Sequence, residues 1–213
     1  MFRVSDFMTP DPITVDPSET ISDALDLMKT HGIHRIPVVD ADNVLKGLIT
    51  EGLISSNGNA TSLSIYELNY LLSKTKVKTM MKRNPWFIKE DALLEEAAEM
   101  MQKHDIGCLP VVDENQKVTG ILTQNDIFTS FLQMLGWKTS GSRILVEVKD
   151  QIGALEHLSK VFADAGISLR NISVYSYEDD IARILIRTQE KIDEAVLDLL
   201  NKEGFTVVEF THA

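Results

Sequence analysis

Ile33-His34-Arg35-Ile36-Pro37-Val38-Val39-Asp40 is answered 73 residues later by Ile106-Gly107-Cys108-Leu109-Pro110-Val111-Val112-Asp113. The correspondence runs outward without a gap, so that residues 4 to 54 lie on residues 77 to 127, and fourteen of these 51 pairs are identical. They include Met8/Met81, Pro12/Pro85, Ala24/Ala97, Met28/Met101, His31/His104, Gly47/Gly120 and Thr50/Thr123. A repeat of this length makes each copy one structural unit and predicts that the two pack on each other.

Within each copy the apolar period changes twice. Ile13 to Val15 and Trp86 to Ile88 are short strand-like runs, whereas Ile21, Ala24, Leu25 and Met28, like Leu94, Ala97, Ala98 and Met101, recur at the spacing of a helix face. Two short strands follow, Ile36 to Val39 and Leu48-Ile49, parted by the turn-forming Asp40-Ala41-Asp42-Asn43; their counterparts flank Asp113-Glu114-Asn115. A closing helix begins near Asp126. The order predicted for each copy is strand, helix, strand, strand, helix.

This order, with the phrases Gly32 to Asp40 and Ile106 to Asp113, closely resembles a tandem pair of CBS domains, or Bateman module. The resemblance implies an α+β module of two units packed about a pseudo-twofold axis, with two clefts that commonly take adenosyl ligands. It also implies that the segment Gly120-Ile121-Leu122-Thr123-Gln124-Asn125-Asp126 supplies a site, Asp126 meeting the ribose hydroxyls and Thr123 approaching the phosphate. The partner wall implied is Ile13, Thr14 and Val15 with Ile33, His34, Arg35 and Ile36 of the first copy.

Elementary chemistry suits that role. A carboxylate only accepts hydrogen bonds and pairs well with two vicinal hydroxyls; a helix beginning there turns free N–H groups towards an anion; a guanidinium is a phosphate clamp. Thr-x-x-Asp before an apolar run is also an ordinary helix capping box, and the two roles can coexist. Arg35 could equally serve an ion pair. In the first copy Leu53 stands where Asp126 does in the second, so one cleft is expected to be competent and the other degenerate. His31-x-x-His34 has no third ligand nearby in sequence, and no metal is expected.

After Gly136 to Ser142, which has the Gly and Ser of a linker, the pattern becomes βαββαβ, a ferredoxin-like order: strands at Arg143 to Val148, Ile167 to Tyr177, Ile181 to Thr188 and Phe205 to Phe210, with helices at Ile152 to Ala165 and Ile192 to Asn201. The phrases Val148 to Leu155 and Ala165 to Ile172 resemble an ACT domain. That implies a possible amino-acid site around Asp150, Ile152, Gly153 and Asn171, although Ile152 replaces the usual proline; a purely dimer-forming role is as well founded. The boundaries expected are 1–60 and 77–135 for the repeats, 61–76 for a helical connector, 136–142 for the linker and 143–213 for the ACT domain.

Composition narrows the function classes. With 213 residues and a formal charge of −11 spread along the chain, a nucleic-acid partner is not expected. No apolar run reaches membrane or signal-peptide length, and the single Cys108 cannot form an internal disulfide, so a cytoplasmic location is expected. There is no Walker lysine, dinucleotide fingerprint or nucleophile elbow. Two CBS units followed by an ACT domain are similar to acetoin utilisation proteins. The expectation is a non-catalytic regulator with an adenine nucleotide as its ligand, a homodimeric form and an unknown regulated protein; the rival expectation is a dimerising scaffold with vestigial clefts.

Overall fold

The computed structural model describes residues 2–57, 65–138, 140–176 and 180–212. The chain forms two compact units, residues 1–128 and 129–213. In chain order the first holds a 3-10 turn (Val4–Asp6), β1 (Thr9–Pro10), α1 (Ile21–His31), β2 (Arg35–Val39), β3 (Leu45–Thr50), α2 (Glu51–Asn57), α3 (Ile65–Lys74), α4 (Val77–Met80), β4 (Lys82–Arg83), β5 (Ile88–Lys89), α5 (Leu94–His104), β6 (Cys108–Val112) and β7 (Val118–Thr123). Helix α6 (Gln124–Met134) begins there and continues into the second unit.

The helical spacing read from the sequence is the buried face of α1 and α5: Ile21, Ala24 and Met28 in one, Leu94, Ala97 and Met101 in the other. Thr20 caps α1 with a reciprocal Asp23 bond, and Gly32 ends it at φ 64°. Helix α5 has no side-chain N-cap and is ended by Asp105 at φ 49°, a left-handed conformation that costs a non-glycine residue. The run Ser56-Asn57-Gly58-Asn59 reads as a loop from its residue types, yet Ser56 and Asn57 belong to α2, because Thr50 Oγ1 accepts the Leu53 N–H and Ile54 is buried in the core below. Gly58-Asn59 lie outside the described residues.

The pseudo-twofold is visible in the pairing. Val44 bridges Lys117, its own counterpart at the offset of 73, and Val39, Val112, Val118 and Leu45 form a small core beside it. Each copy is completed by a segment from the other. Thr9 and Pro10 pair with Ile121 and Gly120 of β7, while the equivalent Lys82 and Arg83 pair with Leu48 and Gly47 of β3. Likewise Val77 is buried in the first core and Val4 in the second. The close approach of these segments explains the paired glycines: a Cβ on Gly47 would lie 2.6 Å from Met81 Sδ, and one on Gly120 would collide with Met8.

The second unit contains β8 (Ser142–Lys149), α7 (Ala154–Asp164), β9 (Leu169–Ser176), β10 (Ile181–Thr188), α8 (Glu194–Lys202) and β11 (Thr206–His212). Its strands form one antiparallel sheet in the order β11-β8-β10-β9, the predicted ferredoxin-like arrangement. Ile144, Val146, Ile184 and Ile186 share a core with Leu158, Phe162 and Leu200 from the helices. Tyr177, Glu178 and Asp179, expected at a strand end and turn, lie outside the described residues.

Candidate functional site

A cavity of about 410 Å³ opens between the two copies where the second copy's β7 ends. Its walls include Thr123 from the end of β7, Asn125 from the first turn of α6, Ile13, and the turn Ile33-His34-Arg35 between α1 and β2. The position is set by topology. Strand β2 carries Arg35 opposite Thr50 in its own hairpin, while pairing of β1 on β7 holds Thr9 to Ile13 beside Thr123.

Thr123 and Asp126 make one half of the capping box read from the sequence: the Thr123 backbone N–H (2.7 Å) and hydroxyl (2.8 Å) both donate to Asp126 Oδ2. The Asp126 side chain is half-buried at the helix start. His34 is tied to Glu51 at 2.7 Å. Among the described residues Arg35 makes no ion pair, which leaves a half-buried guanidinium with its donors to offer.

Other expected positions, Asp126 among them, do not line this cavity. Val15 and Ile36 are buried in the first core, Thr14 is half-buried, and Gly120 sits under Met8 without lining the cavity. Thr9, Asp11, Pro12, His31, Gly32, Ile121 and Asn125 also line it and were not singled out from the sequence. For Thr9, Asp11 and Pro12 the available signal was weak: the segment swap that brings them to β7 is a property of topology, not of local pattern.

The other cleft, about 440 Å³, lies where the first copy's Thr50 and Leu53 face Trp86, Gly107 and Cys108 of the second. Arg35 and His34 line it as well. Burial pushes the Cys108 thiol up to about 11, with Arg35 and Lys82 pulling in the opposite direction.

In the ACT unit, Gly153 precedes α7 at φ 89°, a conformation that explains the glycine, and Ile152 beside it is fully exposed. The Asp150 N–H donates to the Asp180 carbonyl. Asn171 is placed elsewhere. It pairs with Arg187 near the Ser142 end of the sheet, whereas Asp150 follows Lys149 at the other end, and its side-chain amide donates to the Met134 carbonyl at 2.7 Å. The structure therefore groups Asp150, Ile152 and Gly153 and sets Asn171 apart. Among the described residues no cluster of His, Cys, Asp and Glu could hold a metal ion, and no helix is long and apolar enough to cross a membrane.

Comparison with known proteins agrees with this architecture. Residues 4–55 and 77–132 match the CBS domain family, and residues 142–205 match the ACT domain. The chain belongs to the CBS-domain family, as a tandem pair followed by an ACT domain. Among solved structures it is similar to an acetoin utilization protein (AcuB) from Vibrio cholerae, at 32% identity and TM-score 0.55 over 65% of this chain and 96% of that one. It is also similar to CBSX2 solved in complex with AMP (27%, TM-score 0.55, 63% of this chain and 99% of that one). A third is the CBS pair of protein MJ0100, solved with 5′-methylthioadenosine and S-adenosyl-L-methionine (29%, TM-score 0.52, 62% and 96%). Against curated proteins it is 33% identical to MJ1225 of Methanocaldococcus jannaschii over 60% of this chain, spanning 46% of that protein. It spans 23% of an inosine-5′-monophosphate dehydrogenase from the same organism, at 32% identity over 59% of this chain.

Proposed function

We propose that this protein is a non-catalytic sensor that takes an adenine nucleotide (AMP, ADP or ATP), or a related adenosyl ligand, in the Thr123/Asp126 cleft. The observation that carries the reading is that Thr123 and Asn125, at the helix start of the second copy, line one cavity with Arg35 of the first, with Asp126 hydrogen-bonded to Thr123 there. Asp126 has a second oxygen and remaining lone pairs for a ribose diol, Ile13 and Ile33 offer apolar walls to a base, and Arg35 with His34 faces the phosphate. The AMP and S-adenosyl-L-methionine complexes of similar CBS proteins support that ligand class. Because the walls come from both copies, a ligand that fits one packing of the copies better than another shifts their balance, and this differential affinity is the signal passed to a dimer partner or regulated protein.

Calorimetry and thermal shift with AMP, ADP, ATP and S-adenosylmethionine test the reading. Binding of one of them at 100 times its Kd should stabilise the protein by about 2.7 kcal/mol. Silence from all four removes the nucleotide role. The scaffold reading has one observation in its favour, the carboxylate of Asp126 already engaged with Thr123. It predicts an unchanged ligand response in Asp126→Ala. The sensor reading includes a homodimer, for which α6 shows Phe128, Phe131, Leu132 and Met134 to solvent.

A further inference from the structure

The structure assigns the Thr50–Trp86 cleft to a second and chemically different ligand, a planar aromatic anion without a sugar diol, which competes with the nucleotide for the single Arg35 guanidinium. The competition rests on the nucleotide reading above; the second site does not.

Substitutions between the copies set the ligand class. At the position of Asp126 this cleft has Leu53, which cannot accept a hydrogen bond, so the ribose contact proposed for Asp126 has no counterpart there. At the position of Ile13 it has Trp86, a residue 47% exposed whose ring is stacked on His104 at 3.9 Å and 15°. An indole already fixed by one neighbour offers a flat ring a shelf at little cost in side-chain freedom. At the position of Thr9 stands Lys82. Lys82 and Arg35 both lack an ion-pair partner among the described residues, and both lie near enough to act on the Cys108 thiol. The acids at hand are Glu51, occupied by His34, and Asp105 at the end of α5. Shelf, apolar floor and two cations describe a site for an aryl phosphate or aryl carboxylate, and the volume of about 440 Å³ lies within the roughly 300 to 1,000 Å³ of small-molecule sites.

Arg35 belongs to the walls of both cavities. Its reach into the Trp86 cleft depends on Gly107, where a Cβ would lie 2.8 Å from Arg35 Nη2. One guanidinium cannot clamp two anions in different cavities at once, so occupation of either site weakens the other, and by the same factor in each direction.

Phenyl phosphate is the probe, titrated into the full chain by calorimetry and tryptophan fluorescence, with and without saturating AMP. The expected results are quenching that Trp86→Phe abolishes and Trp137→Phe keeps, and a reciprocal weakening of at least threefold between phenyl phosphate and AMP. Lys82→Ala, an exposed substitution, should weaken phenyl phosphate alone. Arg35→Met should weaken both ligands and bring the coupling factor to one. Gly107→Ala should push the guanidinium towards the Asp126 side, weakening phenyl phosphate while AMP binds as well or better. No binding of phenyl phosphate at millimolar concentration, equal affinity for inorganic phosphate, or coupling that survives in Arg35→Met would overturn the proposal. Phenyl phosphate binding without any AMP response overturns the nucleotide reading and the antagonism together, and upholds the second site.

Discussion

Asp126 is bonded to Thr123 at the start of α6 and, in the proposed reading, meets a ribose through the same carboxylate; substitution separates the two roles. Asp126→Ala removes a helix cap and should cost about 0.5 to 2 kcal/mol in chemical denaturation, while nucleotide affinity falls at least tenfold. Asp126→Asn keeps an acceptor oxygen at the cap and loses the charge, so it should retain more stability than affinity. Gly120→Ala tests the neighbouring position differently: its methyl group meets Met8 in a packed interface, an overpacking of about 1 to 3 kcal/mol with no direct contact to the cavity. Cys108 adds a pH dependence. Its thiol is raised in the folded protein, so the stabilisation is fully present below the ordinary value of 9.0 and is lost as pH rises towards about 11. Two units of displacement correspond to about 3 kcal/mol. Denaturation series from pH 8 to 11 should show this decline in the native sequence and a shallower one in Cys108→Ala.

Among elements, the end of α5 retains a strain that α1 avoids. Asp105→Gly should stabilise the protein by up to about 1 kcal/mol in thermal denaturation, because it gives the left-handed C-cap the residue that Gly32 supplies in the other copy. In the second unit Gly141 sits at φ 132° with the Thr188 carbonyl where a Cβ would go. Gly141→Ala should raise hydrogen exchange along β8 and β10 while the β2–β3 hairpin stays protected. The helices and hairpins were legible because their apolar periods and turn residues are local. Thr123 and the Ile33 to Arg35 turn, which line the cavity, were legible through the repeat and the family resemblance it carries, whereas Asp126, expected on the same wall, does not line it. Thr9, Asp11 and His31 were not, since their place on the cavity wall follows from strand pairing between distant segments. Asn171 shows the opposite failure: nearness to a family phrase suggested a shared site, and the strand register carries it to the other end of the sheet.

At the scale of the molecule, a formal charge of −11 opposes association with polyanions and makes the local cations Arg35 and Lys82 stand out. The proposed homodimer should appear as a concentration-dependent mass in sedimentation, and Phe131→Glu, at an exposed position on α6, should shift it towards monomer.

The exchanged segments also bear on ancestry. If residues 77–134 were expressed alone, Val77 to Arg83 would have no first copy to complete, yet β7 of an identical chain would offer Lys82 and Arg83 the place that Thr9 and Pro10 hold here. Two such half-length chains could each finish the other, as a symmetric pair. A gene duplication that fused them would keep these strand pairings and free the halves to diverge. Leu53 against Asp126, and Gly107 against His34, are differences of the kind such freedom allows.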